Sequence, residues 1–341
     1  MLSSGSAFAL GMFAEAPQAS PFLGIVTGQQ WVYRFDRLFD AQHPWPSQLP
    51  APVDIFSLLQ SWDACFAALQ SAVATRLPDL VEERQDIAGL HALAPIDRPR
   101  QVICTGANYR KHVIDLVVAQ GGGADTEGMT LEERRAHVTR RMDARAVDGL
   151  PYAFPKLSGC VTGPSDDIVI PHDAEQFDWE LELGLVIGRE AWRVAGSAAL
   201  GCIAGYVIVN DLTRRELVYR PDLKSLGSDW LRAKSGPGFL PTGPLFVPAA
   251  FVAHPQDLEI RLELNGQVMQ CESTADMIFG IDRQIEYLSA YVRLFPGDLI
   301  ATGSPAGNGM HHKRFLQPGD VMRGSIAGLG VQVNRLVAEG V

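Results

Sequence analysis

The chain reads as α+β with β structure dominant. Three observations carry that reading. Short β-branched runs recur along the second half and end in glycine or in Asn-Asp, as in Val186-Ile187-Gly188 and Ala204-Gly205-Tyr206-Val207-Ile208-Val209. Leu258 to Leu264 runs into Asn265-Gly266, a hairpin-turn dipeptide. Helical spacing is confined to a few segments, so strands outnumber helices and a mixed, strand-rich architecture follows.

In chain order, Phe22-Leu23-Gly24-Ile25-Val26 and Trp31-Val32-Tyr33 read as two strands around a Gly-Gln-Gln turn. Pro44, Pro46, Pro50 and Pro52 mark a loop, because proline cannot occupy a helix interior. Leu58, Leu59, Trp62, Phe66 and Leu69 fall at helical spacing over residues 55 to 76. Residues 1–97 are therefore expected to form a small N-terminal α+β domain, and residues 98–341 a larger second one. Gln101 to Cys104 reads as a buried strand. Residues 107 to 119 read as a helix entered through Asn108 and broken at Gly121-Gly122-Gly123, and residues 130 to 145 as a charged helix. The stretch from about 120 to 150, with glycines at both ends, is expected to be an inserted lid. Gln284 to Leu294 reads as a helix and Gly330 to Asn334 as a strand.

Charge and composition narrow the function classes. The 341 residues carry a net charge of −10, which argues against nonspecific nucleic-acid binding. No apolar run is long enough to span a bilayer. No Lys or Arg precedes Arg34, so no secretory leader is expected, and Phe8 to Phe13 reads as the start of the mature fold. The five cysteines are scattered without a CxxC pair, which suits free thiols in a reducing cytoplasm.

The chemistry-bearing stretch is Asp178-Trp179-Glu180-Leu181-Glu182, followed directly by apolar residues. On a strand, Asp178, Glu180 and Glu182 share one face. Like charges there repel one another, so a solvated edge is the ordinary reading. Two features oppose it. The acids lead into a fully apolar strand, and Asp211 stands at the end of another apolar strand behind Asn210. Carboxylates converging from two strands suit a hard cation such as Mg²⁺, with Mn²⁺ or Ca²⁺ as alternatives. No HExxH or Cys/His set points to zinc.

With these residues in view, the chain resembles the fumarylacetoacetate hydrolase superfamily. The Glu180/Glu182 pair and Asn210-Asp211 match its metal-site pattern. Asn108-Tyr109-Arg110-Lys111-His112 resembles its NYxxH segment. Gly205-Tyr206 through Asn210-Asp211 and Arg215, then Lys234-Ser235 with Pro241-Thr242-Gly243-Pro244, follow in the family's order. So do Pro296 to Gly307 and the closing Pro318-Gly319-Asp320 with Gly328-Leu329-Gly330.

The resemblance implies a mixed β-sandwich or β-roll, usually dimeric. It implies Glu180, Glu182 and Asp211 as ligands of Mg²⁺, and His112 as general base paired with Asp115 three residues on. Lys234 is implied on a substrate oxygen, and Tyr109, Arg110, Arg215 and Ser304 as substrate contacts. His311-His312 matches nothing in the pattern and reads as a polar loop. The expected reaction is hydrolysis of a C–C bond in a small acylpyruvate-type 2-oxo acid. Decarboxylation, hydration or isomerisation at the same site is the alternative, and a catalytically silent 2-oxo-acid binder a second one.

The sequence departs from the family pattern in three places. The Asp of the KSxD segment is absent from Lys234-Ser235-Gly236-Pro237-Gly238. Val218 stands where the family's C–C hydrolases carry Gln. Thr105 stands where the animal enzymes have a fourth carboxylate ligand.

Overall fold

The computed structural model describes residues 7–119, 121 and 124–340. Of the expected break at Gly121-Gly122-Gly123, Gly122 and Gly123 lie outside them, as does Met1-Leu2-Ser3-Ser4. Among the described residues, three larger sheets carry the fold.

The N-terminal sheet has the order Gln85–Asp86, Trp31–Arg34, Phe22–Thr27, Ala9–Ala14, His91–Leu93, all antiparallel. Its expected turn is present: Gly28 and Gln29 both take φ of 59°, the left-handed conformation that a tight hairpin demands. The helical stretch from residue 55 is two helices, Ile55–Leu59 and Trp62–Arg76. Asp54 caps the first, accepting from Ser57 N–H at 2.7 Å. The apolar core runs without interruption from this part into the rest. Leu10 N–H donates to Phe246 O at 2.8 Å, and Trp62 meets Phe246 edge to face at 5.2 Å.

The central sheet has the order Val247–Pro248, Ile203–Asn210, Leu181–Ile187, Leu299–Ala301, Val102–Gly106, Tyr152–Lys156. Its pairs are antiparallel except Leu299–Ala301 with Val102–Gly106. Strands Leu181–Ile187 and Ile203–Asn210 are buried throughout, as their unbroken apolar runs require. A third sheet, Gln267–Ser273, Glu259–Leu264, Val321–Ile326, Gly330–Ala338, Ile168–Ile170, packs against the central one. At Gly324 a Cβ would sit 2.6 Å from a methyl of Leu181, so only glycine permits that approach.

The 120–150 stretch contains the helix Leu131–Asp148, opened by a Thr130–Glu133 capping box. It packs on Arg110–Ala119 through a separate apolar cluster of Val113, Ile114, Val118, Val138, Met142, Ile278 and Phe279. Ion pairs tie the two helices together: Arg110 to Asp143 at 2.7 Å and Arg135 to Asp115 at 2.6 Å.

Candidate active site

The site begins with strand register. Leu181 pairs with Asn210, which sets Glu180 opposite Asp211; Asp211 N–H donates to Glu180 O at 2.8 Å. Glu182 lies two residues further on the same face. One carboxylate oxygen from each of Glu180, Glu182 and Asp211 lies within 4.8 Å of the others, and all three residues are buried.

Asp178 departs from the expected shared face. The strand is interrupted at Trp179-Glu180, because Glu180 N–H donates to the Asn210 side chain at 2.9 Å and Leu181 N–H to Gln270 Oε1 at 3.1 Å. Phe177–Asp178 instead pairs with Thr213–Arg214. Asp178 is fully buried and accepts from Arg215 Nε at 2.8 Å and from Gly309 N–H at 2.5 Å. His311 and His312, read from sequence as loop, sit on the short helix Gly309–His312 that Asp178 anchors.

Cations surround most of this charge. Lys234 Nζ donates to Glu180 Oε2 at 2.6 Å and also to Asp211 Oδ2. Arg215 bridges Glu180 and Asp178. Lys156, not among the residues expected from sequence, donates to Asp211 Oδ1 and to Phe239 O, each at 2.6 Å, with its side chain fully buried. A sequence signal existed for it: on strand Tyr152–Lys156 it shares the buried parity of Phe154, and a buried lysine requires a carboxylate.

Among the described residues, Glu182 alone in the cluster makes no ion pair; its carboxylate accepts from Gly303 N–H at 2.7 Å. Burial, reinforced by Asp211 and Glu180, pushes its carboxyl well above the usual range. Burial also opposes the charge on Glu180, but Arg215 and Lys234 outweigh it and hold that carboxyl low. The Lys234 ammonium is desolvated too, yet Asp211 and Glu180 keep it protonated well above the lysine range. Three hard oxygens close together, four buried carboxylates against three cations, and one anion left uncompensated fit a divalent cation.

A cavity of about 650 Å³ opens over the cluster, within the range that accepts a small organic ligand. His112, Arg215, Lys234 and Ser304 line it with the three ligand candidates. His112 enters on the first turn of helix Arg110–Ala119. The preceding loop is pinned by Asn108, which donates to Phe279 O at 3.2 Å and Thr302 O at 2.9 Å. Asn108 thus fastens the loop rather than capping the helix. Burial pushes the His112 imidazole down to about 4, against a smaller upward pull from Glu180. Ser304 Oγ accepts from Gln270 at 3.1 Å.

Three expected residues stand elsewhere. No hydrogen bond joins Asp115 to His112 among the described residues, because the Arg135 guanidinium claims that carboxylate. Arg110 is turned to Asp143 on the insertion helix. Tyr109 is fully buried and is not among the residues lining the cavity; desolvation and the nearby Glu182 raise its hydroxyl well above the tyrosine range.

Comparisons with known proteins identify the chain's relatives. The chain is 31% identical over 288 residues to the Bos taurus protein named oxaloacetate tautomerase FAHD2A, mitochondrial, covering 84% of this chain and 80% of that one. It is 40% identical over 185 residues to the 2,4-didehydro-3-deoxy-L-rhamnonate hydrolase of Sphingomonas sp. (strain SKA58), covering 53% of this chain and 63% of that one. The fold matches the crystal structure of maleylpyruvate hydrolase from Sphingobium sp. SYK-6 in complex with manganese(II) and pyruvate, with a TM-score of 0.67 at 22% identity over 97% of this chain and all of that one. Residues 101–337 match the fumarylacetoacetate hydrolase C-terminal family model. That stretch contains both carboxylate-bearing strands and the histidine helix, and the chain belongs to the fumarylacetoacetate hydrolase family.

Proposed function

We propose that this protein hydrolyses a C–C bond in a small acylpyruvate-type 2-oxo acid, using Mg²⁺ held by Glu180, Glu182 and Asp211. The observation that carries the reading is Glu182, a buried carboxylate with no ion pair among the described residues, lining a cavity that also presents a neutral histidine. A divalent ion bound there supplies Lewis-acid polarisation of the 2-oxo acid's oxygens.

The chain's own groups account for the proton and oxygen traffic. His112, kept neutral by burial, takes a proton from water, whose oxygen bonds to the carbonyl remote from the carboxylate. The C–C bond breaks and its electron pair stays on the pyruvyl side as an enolate. Lys234 donates to the oxygen that gains charge, and Ser304 offers a hydroxyl beside it. The proton on His112 returns to the enolate carbon, giving pyruvate and a carboxylic acid. Arg215 holds Glu180 and Asp178 in position. The insertion helix Leu131–Asp148 serves as a lid over the histidine helix. A cytoplasmic homodimer is the expected assembly.

The test is pyruvate release from acylpyruvates, oxaloacetate and 2-oxo-enoic acids with Mg²⁺ and with EDTA. Metal-dependent cleavage of an acylpyruvate supports the reading; its absence across the panel refutes it. A second reading is tautomerisation of a 2-oxo acid, favoured by the name of the bovine relative and by Val218 in place of the hydrolases' Gln. It predicts loss of enol absorbance with no change in substrate mass.

A further inference from the structure

Glu182 and His112 stand on different elements, and one buried side chain joins what holds each of them. On the carboxylate side, Thr302 grips the Glu182 strand: its N–H and its hydroxyl both donate to Leu183 O, at 3.1 and 2.8 Å. The next residue, Gly303, gives its N–H to the Glu182 carboxylate. On the histidine side, residues 108–111 lie along residues 276–279. Asp276 accepts from Lys111 N–H at 2.9 Å, Tyr109 bridges Met277, and Ile278 N–H donates to Asn108 O at 2.6 Å.

Asn108 connects the two sides. It is buried, and its amide accepts from Phe279 N–H at 2.9 Å while donating to Phe279 O and to Thr302 O. One end of the amide faces an N–H and the other faces two carbonyls, so a single orientation satisfies all three. The approach is close: Gly303 takes φ of 101°, and a Cβ there would lie 2.9 Å from Asn108 Cβ. One peptide unit therefore carries the link. The Thr302 carbonyl accepts from Asn108, and the Gly303 N–H of the same rigid plane donates to Glu182. Buried hydrogen bonds in series polarise and fix one another.

We propose that Asn108 is a positioning residue for Glu182 and His112 together. Through the Thr302–Gly303 peptide it holds the carboxylate and the histidine helix in one arrangement, so that an ion bound at Glu182 tightens the helix start. This rests on the reading of Glu182 as a metal ligand and His112 as the base, and adds the residue that couples them. Such coupling is reciprocal: loosening Asn108 weakens the hold on the ion.

The test uses Mn²⁺ as the probe, on the full-length protein, with two readouts that need no substrate. Calorimetry gives the Mn²⁺ affinity, and amide hydrogen exchange across residues 108–114 is followed with and without saturating Mn²⁺. In the wild type the ion is expected to slow that exchange by about tenfold, within the usual range of coupling between sites. Asn108→Ala removes the link without altering the charge of the site. It is expected to bind Mn²⁺ about tenfold or more weakly, the usual penalty for losing a group that orients a metal ligand, and at saturation to lose the slowing. A residue serving stability alone would lower the unfolding midpoint and leave both readouts of the folded variant unchanged, and that result overturns the inference. So does wild-type exchange indifferent to bound Mn²⁺, a measurement that stands even if the variant does not fold. Mn²⁺ binding that is absent from the wild type, or that Glu182→Gln leaves unchanged, overturns the metal reading itself, and the inference with it.

Discussion

Glu182 and Glu180 stand two residues apart with carboxylate oxygens within 4.8 Å of each other, yet their neutralisation should shift stability in opposite directions. In Glu182→Gln the amide oxygen still accepts from Gly303 N–H, and the uncompensated charge disappears. At 4.8 Å, two unit charges repel by about 3–4 kcal/mol at an effective dielectric constant near 20. Glu182 faces two such neighbours, whose charge is largely offset by Lys156, Lys234 and Arg215. A net gain of about 1–3 kcal/mol for the metal-free variant is reasonable, or about 2–6 °C in Tm for a chain of this size. Glu180→Gln removes the anion shared by Arg215 and Lys234 and should cost about 3–5 kcal/mol. Thermal unfolding in EDTA reads both. Repeating it with Mg²⁺ reads the second half: saturation at about a hundred times Kd protects the wild type by about 2.7 kcal/mol, and Glu182→Gln should lose most of that protection. A metal-free Glu182→Gln protein less stable than wild type, or Mg²⁺ protection equal to wild type, would refute the electrostatic reasoning.

Other consequences are equally concrete. His112 is neutral down to about pH 4 rather than 6.5, so the acid limb of kcat/KM should lie well below an ordinary histidine's. Its sign follows from the role: the base form is lost as pH falls through the folded value, and His112→Asn should lower the rate by about 10²–10⁴-fold. A limb near 6.5 would contradict the burial argument. Gly307 has φ of 101°, and a Cβ there would meet Met269 O at 2.0 Å, so Gly307→Ala should cost about 2–4 kcal/mol in chemical denaturation. If Leu131–Asp148 is a lid, its proteolysis should slow with Mg²⁺ plus a 2-oxo acid, and Arg110→Ala should speed it by removing the ion pair to Asp143. Cleavage rates indifferent to ligand would exclude that role.

Much of the site was legible because it depends on local rules. Period-two alternation put Glu180 and Glu182 on one face, and the end of an apolar run placed Asp211 at a strand tip. The same rule overreached at Asp178, because side chains of Asn210 and Gln270, distant in sequence, take the backbone N–H groups that would have continued the strand. Lys156 was overlooked although its parity with Phe154 marked it as buried.

The sequence by itself determined which groups can bear the chemistry: hard oxygen donors at strand spacing, a histidine at a helix start, the glycine-rich turns and the family order. Tertiary structure alone decided who meets whom. The Leu181–Asn210 register sets Glu180 against Asp211, and helix docking gives Asp115 to Arg135 and Arg110 to Asp143, away from the cavity. Spacing along a chain constrains the direction of a side chain, whereas its partner depends on which distant segment packs there and which charge most needs compensation once water is excluded.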